Sequence, residues 1–134
     1  MESPEVTRIG IAIVHDRGRF LVGRRTGAQV LAGKYEFPGG KAIDGESMEA
    51  CAIRECLEET GMPIDVQRRL NVTRHRYPHG EVELHFYLCS CRGEKNRSEV
   101  HEPFEWVDQH ALDSLDFPEA NRDVLTLLQQ ALDD

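Results

Sequence analysis

The sequence predicts an α/β fold, and three features carry that expectation. Segments rich in β-branched and apolar residues alternate along the chain with segments of helical periodicity, the order that builds a sheet covered by helices. The stretch "VTRIGIAIVH" (6–15) is apolar at consecutive positions, as suits a strand buried on both faces. The segment 47–61 carries its own start and stop signals, with Ser47 as a helix N-cap and Gly61 suited to the left-handed position after the last turn.

After the first strand, "DRGR" reads as a turn and "FLVGRR" (20–25) as a second strand paired with the first. Gly33, Pro38 and the Gly39, Gly40 pair predict a loop over 29–40, with a short extended piece at 35–37. The helix is expected over 47–60, with Glu49 favourably placed in its first turn and Pro63 preventing continuation. Residues 65–77 and 81–91 suggest two longer strands joined by a turn near Pro78 and Gly80, and 104–107 a short one. Pro118 lies near the start of a last helix that places Val124, Leu125, Leu128 and Leu132 on one face.

The chain of 134 residues has no repeat, low-complexity run or Pro/Gly/Ser-rich linker, so a single domain over 1–134 is expected. A formal net charge of −8 argues against nonspecific binding to duplex nucleic acid or to an anionic membrane, since both rest on Lys and Arg contacts. An anionic substrate therefore needs a local source of positive charge. The start "MESPEVTRIG" lacks a signal-peptide pattern, and no run approaches the roughly 18 apolar residues of a membrane span, so a cytoplasmic protein is expected. A monomer is the simplest expectation. Cys51, Cys56, Cys89 and Cys91 show neither CxxC spacing nor zinc-finger order and read as reduced, structural thiols.

Glu55, Glu58 and Glu59 stand at i, i+3 and i+4 and so project from one helix face. Ala50, Ile53 and Leu57 fall on the opposite side, so the helix is expected to bury that apolar stripe and present the carboxylates outward. Like charges at this spacing repel by a few tenths of a kcal/mol per pair, so fold stability gives no reason to collect them. A hard divalent cation does. Mg²⁺ takes oxygen ligands, is held by a few carboxylates plus substrate phosphates, and reverses the local charge so that a nucleoside triphosphate can bind. A solvated acidic face is the alternative that the trio by itself leaves open.

The pattern extends beyond the trio. Residues 40–62 fit G-x5-E-x7-R-E-U-x-E-E-x-G-U, with U apolar, through Gly40, Glu46, Arg54, Glu55, Glu58, Glu59 and Gly61. At ordinary residue frequencies such a match arises by chance on the order of once in 10⁸ windows. The segment resembles the Nudix box, with Cys56 in a slot that more often carries a branched aliphatic. The resemblance implies an α/β/α sandwich with a mixed β-sheet between helices. It also implies metal ligation by Glu55, Glu58, Glu59 and the Gly40 carbonyl, catalytic roles for Glu55 and Glu58 with Glu55 as general base, and a supporting pair in Glu46 and Arg54. The expected cofactor is Mg²⁺, with Mn²⁺ as an alternative.

"LVGRRTGAQVLAGKYEFPGGK" (21–41) and "DFPEAN" (116–121) resemble the MutT group, which hydrolyses 8-oxo-dGTP to 8-oxo-dGMP and pyrophosphate. That likeness implies phosphate contact by Arg25, enclosure of the nucleoside by Phe37 and reading of a purine edge by Asn121. A surface charge, a core aromatic and a helix cap are the respective structural alternatives. The group's additional loop glutamate has no unambiguous match among Glu99, Glu102 and Glu105. The basic run Arg68, Arg69, Arg74, His75 and Arg76 reads as a solvated strand edge. The expected function is a Mg²⁺-dependent nucleoside triphosphate pyrophosphohydrolase acting on 8-oxo-dGTP. A pyrimidine pyrophosphohydrolase (CTP or modified dCTP) and a non-hydrolytic nucleotide-sensing module are the alternatives, although modules of the latter kind tend to lose box carboxylates that this chain keeps.

Overall fold

The computed structural model describes residues 6–25, 33–78, 80–93 and 99–133. Its centre is a mixed sheet built from β1 (Val6–Asp16), β2 (Arg19–Arg24), β3 (Tyr35–Glu36), β4 (Gly39–Lys41), β5 (Ile64–Tyr77), β6 (Gly80–Cys91) and β7 (Phe104–Asp108). The strands run in the order β3-β2-β1-β6-β5, with β4 joined to β1 and β7 to β2. β1 and β6 are parallel and the other pairs antiparallel.

Two helices, α1 (Met48–Thr60) and α2 (Arg122–Asp133), cover opposite faces of the sheet. Strand alternation decides which residues meet which helix. Ile11 and Ile13 of β1 join Leu84 and Phe86 of β6 beneath Val124 and Leu128 of α2. Ala12 and Val14 join Tyr87 and Cys89 beneath Ala52 and Cys56 of α1. Each fully buried Val, Ile or Phe among them contributes about 1.5–3 kcal/mol, so the two layers rather than local propensity hold the sandwich together. This is the expected α/β class with a mixed sheet between helices.

The termini of α1 match their signals. Ser47 Oγ accepts from the Ala50 N–H at 3.1 Å, and Gly61, at φ 78°, donates its N–H to Leu57 O at 2.9 Å. The roll of the helix does not match. Its buried residues are Cys51, Ala52, Cys56 and Thr60, whereas Ala50 is exposed, Ile53 only half-buried and Leu57 47% exposed. The reason is close approach at Gly10 on β1, where an added Cβ would lie 2.8 Å from Met48 O and 3.0 Å from Ala52 N. Only a face of small side chains can descend that far onto the strand, so of the expected stripe Ala50 and Leu57 face outward and Ile53 packs only at the margin of the core.

Gly39 and Gly40, expected in a loop, form the short strand β4 together with Lys41. The chain near Pro118 makes a 3-10 turn at Glu119–Asn121 before α2 begins at Arg122, and a second such turn spans Gln109–Ser114. Val124 and Leu128 are buried and Leu125 half-buried as expected, while the Leu132 side chain lies outside the described residues. Cys51, Cys56 and Cys89 are buried free thiols and Cys91 is half-buried. Burial pushes Cys56 and Cys89 up to about 12, so they stay protonated and act as packing groups. Arg74 and Arg76 on β5 pair with Glu81 and Glu83 of β6, as befits a solvated edge. Among the described residues no helix is long and apolar enough to cross a membrane.

Candidate active site

β4 pairs with β1 so that Gly40 stands opposite Gly10, and α1 lies across both. At Gly39 a Cβ would come within 2.6 Å of Gly10 O, and at Gly40 within 2.5 Å of Glu55 Oε2. The glycines, which look like loop punctuation in the sequence, therefore allow a helix-borne carboxylate to rest on a strand backbone. Glu59 is fixed in the same seam, its Oε1 accepting from the Gly39 N–H at 2.8 Å. Glu55 and Glu59 are thus half-buried against β4 and Glu58 is exposed, instead of all three pointing into solvent.

Arg54 ties the cluster together. Its Nε and one terminal nitrogen donate to the two Glu46 oxygens at 2.7 and 3.0 Å, the geometry in which a guanidinium matches a carboxylate. Its other terminal nitrogen reaches Glu55 Oε1 at 2.9 Å and Glu58 Oε2 at 3.2 Å. A further bond to the Lys41 carbonyl at 3.1 Å anchors it to β4. Among the described residues no three His, Cys, Asp or Glu side chains surround a single point, and Arg54 lies between Glu55 and Glu58. The Gly40 carbonyl accepts from Cys51 Sγ at 3.2 Å, which uses one of its two lone pairs.

Two carboxyl groups are displaced in opposite directions. The Arg54 hydrogen bonds, followed by the Ile43 N–H, hold Glu46 down at about 2. Burial raises Glu59 to about 7 against an ordinary 4.5, opposed by the Gly39 N–H and reinforced by the charges of Glu36, Glu55 and Glu58. The folded protein thus holds the Glu59 proton more tightly than the unfolded chain, a stabilisation complete below pH 4.5 and lost as pH rises through about 7. Thermal melts of the metal-free protein are expected to show stability falling between about pH 5 and 8, with the slope flattened in Glu59→Gln, which can still accept from Gly39. An unchanged slope in the variant would mean that Glu59 is not the titrating group.

Beyond Gly39 the sheet opens into a cleft of about 180 Å³ on the α2 side, lined among others by Ile9, Ile11, Arg25, Glu36, Phe37, Gly39, Tyr77 and Asn121. Arg25, Phe37 and Asn121, distant in sequence, therefore border one space. Arg25 Nε lies 3.5 Å from Glu36 Oε1. Phe37 is 5% exposed and stacks on Phe117 at 4.9 Å between ring centroids. Asn121 sits in the turn before α2 rather than on the helix itself, with Nδ2 3.4 Å from Pro118 O. Two lining residues, Glu36 and Tyr77, escaped the sequence reading. Glu36 adjoins Phe37 in the "EFPGG" stretch but has the ordinary alternation of a strand, and burial, partly offset by Arg25, raises its carboxyl.

A family model described as the NUDIX domain matches residues 10–127 of this chain. The chain belongs to the Nudix family. This Nudix hydrolase is 28% identical over 124 residues to an 8-oxo-dGTP diphosphatase of Escherichia coli, covering 92% of the chain and 96% of that protein. It is 34% identical over 119 residues to the 8-oxo-dGTP diphosphatase of Haemophilus influenzae, covering 87% of each. A solution structure of a MutT protein of the Nudix hydrolase family from Staphylococcus aureus superposes with a TM-score of 0.78 at 27% identity, covering 96% of this chain and 99% of that one. A MutT protein from Methanosarcina mazei, 22% identical, shares the fold with the same score over 100% of this chain and 99% of its own. In this Nudix hydrolase Glu99, Glu102 and Glu105 are all exposed. The segment holding the first two crosses the end of α1, where the His101 N–H donates to Thr60 O at 2.9 Å.

Proposed function

We propose that this Nudix hydrolase is a Mg²⁺-dependent nucleoside triphosphate pyrophosphohydrolase that converts 8-oxo-dGTP to 8-oxo-dGMP and pyrophosphate, acting as a single-domain monomer over 1–134 in the cytoplasm. One observation supports it above the others. Gly39 borders the cleft that Arg25, Phe37 and Asn121 line, and its N–H holds Glu59 of the carboxylate cluster, so base-side and phosphate-side residues meet along one backbone segment. The diphosphatase relatives bring the oxidised purine to the hypothesis, and Asn121, with both an amide donor and an acceptor, suits a purine edge.

The donor chemistry suits a hard divalent cation, although Glu55, Glu58 and Glu59 do not converge on one point while Arg54 bridges the first two. Glu55, Glu58 and Glu59 offer oxygen donors, and the Gly40 carbonyl keeps a second lone pair. When bound, the cation spreads charge off the phosphate oxygens and acidifies the attacking water. Glu55, steadied by Arg54 and resting on Gly40, would accept the proton released by the attacking water. Glu46 holds Arg54, and Arg54 fixes the spacing of Glu55 and Glu58. Arg25 neutralises phosphate at the cleft, and Phe37 closes its floor.

The test is a panel of 8-oxo-dGTP, dGTP, dCTP and CTP with added Mg²⁺, reading monophosphate, pyrophosphate and inorganic phosphate. The expected result is pyrophosphate release with 8-oxo-dGTP preferred. Inorganic phosphate as co-product would remove the pyrophosphohydrolase assignment, and preference for CTP or dCTP would remove the oxidised purine. Binding without turnover of any substrate would indicate a sensing module.

A further inference from the structure

We propose that the cavity beneath the C-terminal half of α2 binds a small amphipathic carboxylate, a linear medium-chain acid whose tail enters the cavity and whose head group meets Arg68. The cavity measures about 250 Å³ and is walled by Phe20, Leu70, Leu88 and Leu128, with Leu127 and Arg68 on its solvent side. It shares the α2 side of the sheet with the cleft beyond Gly39 but none of that cleft's residues. His15, which lines it, stands four residues beyond Ile11 on β1, a separation of about 13 Å.

A β-bulge puts Arg68 there. Val66 pairs with Cys89 and Arg68 with Leu88, so Gln67 is an extra residue on β5 and the alternation of the strand breaks at it. Val66 and Cys89 pack on the α1 side, and unbroken alternation would send Arg68 to that side too. The bulge instead sets Arg68 on the α2 face, directly opposite Leu88 of the apolar lining. Re-aiming a side chain is a recurrent use of such bulges.

Arg68 is also uncommitted. Arg74 and Arg76, farther along the same strand, are neutralised by Glu83 and Glu81, whereas Arg68 is exposed and has no ion-pair or hydrogen-bond partner among the described residues. Its planar donor fork is therefore free for a carboxylate, which it matches in geometry as well as charge. The inner wall is braced, with His15 against Phe20 at 4.6 Å between ring centroids and His15 Nε2 2.8 Å from Gln109 Oε1. Leu127, 39% exposed, brings the apolar lining out to solvent, where a tail can enter. At about 30 Å³ per water-sized atom the volume holds roughly eight of them, which suits the hydrocarbon part of octanoate with its head group outside. A cationic amphiphile of the same length would meet Arg68 as a like charge.

The experiment titrates octanoate, butanoate and octylammonium into the metal-free protein and into Arg68→Gln, following backbone amide and leucine methyl NMR shifts. Octanoate is expected to saturate, with shifts centred on Leu88, Leu127 and Leu128. Each buried methylene tightens binding about fourfold, so butanoate should bind about 100-fold more weakly. Octylammonium should bind at least tenfold more weakly than octanoate, and Arg68→Gln should lose about tenfold for octanoate and narrow that difference. Arg68 is exposed on the edge strand, so the variant is expected to melt with the wild type, and the three probes test the wild-type protein whether or not it does. Absence of saturable octanoate binding overturns the proposal, as do equal affinity for octylammonium, unchanged octanoate affinity in folded Arg68→Gln, or shifts centred on the carboxylate cluster or on the cleft beyond Gly39.

Discussion

Glu55→Gln is expected to lower kcat/KM by about 10³-fold or more at saturating Mg²⁺ while the protein stays folded. On the proposed mechanism the substitution removes a charge that would bind a cation and the basicity that would accept a proton, yet it hardly changes shape. The amide oxygen can still accept from Arg54, which now reaches Glu55 at 2.9 Å, and the side chain still rests on Gly40. Lost activity therefore measures chemistry and not unfolding, provided circular dichroism melts of the two proteins agree within a few degrees. Retention of more than about a tenth of wild-type kcat/KM in a folded Glu55→Gln protein would exclude this helix face as the site of hydrolysis.

Gly40→Ala is expected to cost about 10²-fold in kcat with little loss of stability. The added methyl group would sit 2.5 Å from Glu55 Oε2, far inside contact distance. What it meets is the mobile end of a long side chain, so the fold relieves the clash by swinging the carboxylate aside rather than by moving backbone. Displacement of a reacting group by about 1 Å is enough for a loss of this size. Gly10→Ala gives the opposite profile, because its Cβ would meet Met48 O and Ala52 N, backbone atoms that cannot yield without lifting α1. Rate measurements and melts on the two variants separate the cases. Near-wild-type kcat in Gly40→Ala would show that the contact between Glu55 and β4 is dispensable.

Much of the site was legible because helical spacing is a local property. Once Ser47 and Gly61 bound a helix, the i, i+3, i+4 positions of Glu55, Glu58 and Glu59 put them on one face whatever the helix packs against. The pairing of Arg54 with Glu46, implied by the family resemblance, involves positions eight residues apart across the helix start. The direction of that face was not legible. Ile53 and Leu57 are the larger hydrophobes of the helix, and a count of apolar residues favours burying them. The decision came instead from Gly10, more than forty residues upstream, whose missing side chain selects the small face Cys51, Ala52 and Cys56.

The sequence by itself determined the α/β class, the bounds and caps of α1, the carboxylate trio and the family to which the chain belongs. These are set within single segments, where residue type and spacing act directly on the backbone. Only the tertiary structure decided that Gly39 and Gly40 form a strand, that two of the glutamates lie half-buried on it, and that Arg25, Glu36, Phe37, Tyr77 and Asn121 border one cleft. Those outcomes depend on glycines, which carry no side-chain pattern to read, and on close packing between segments far apart in the chain, where the space one residue leaves empty fixes where another can go.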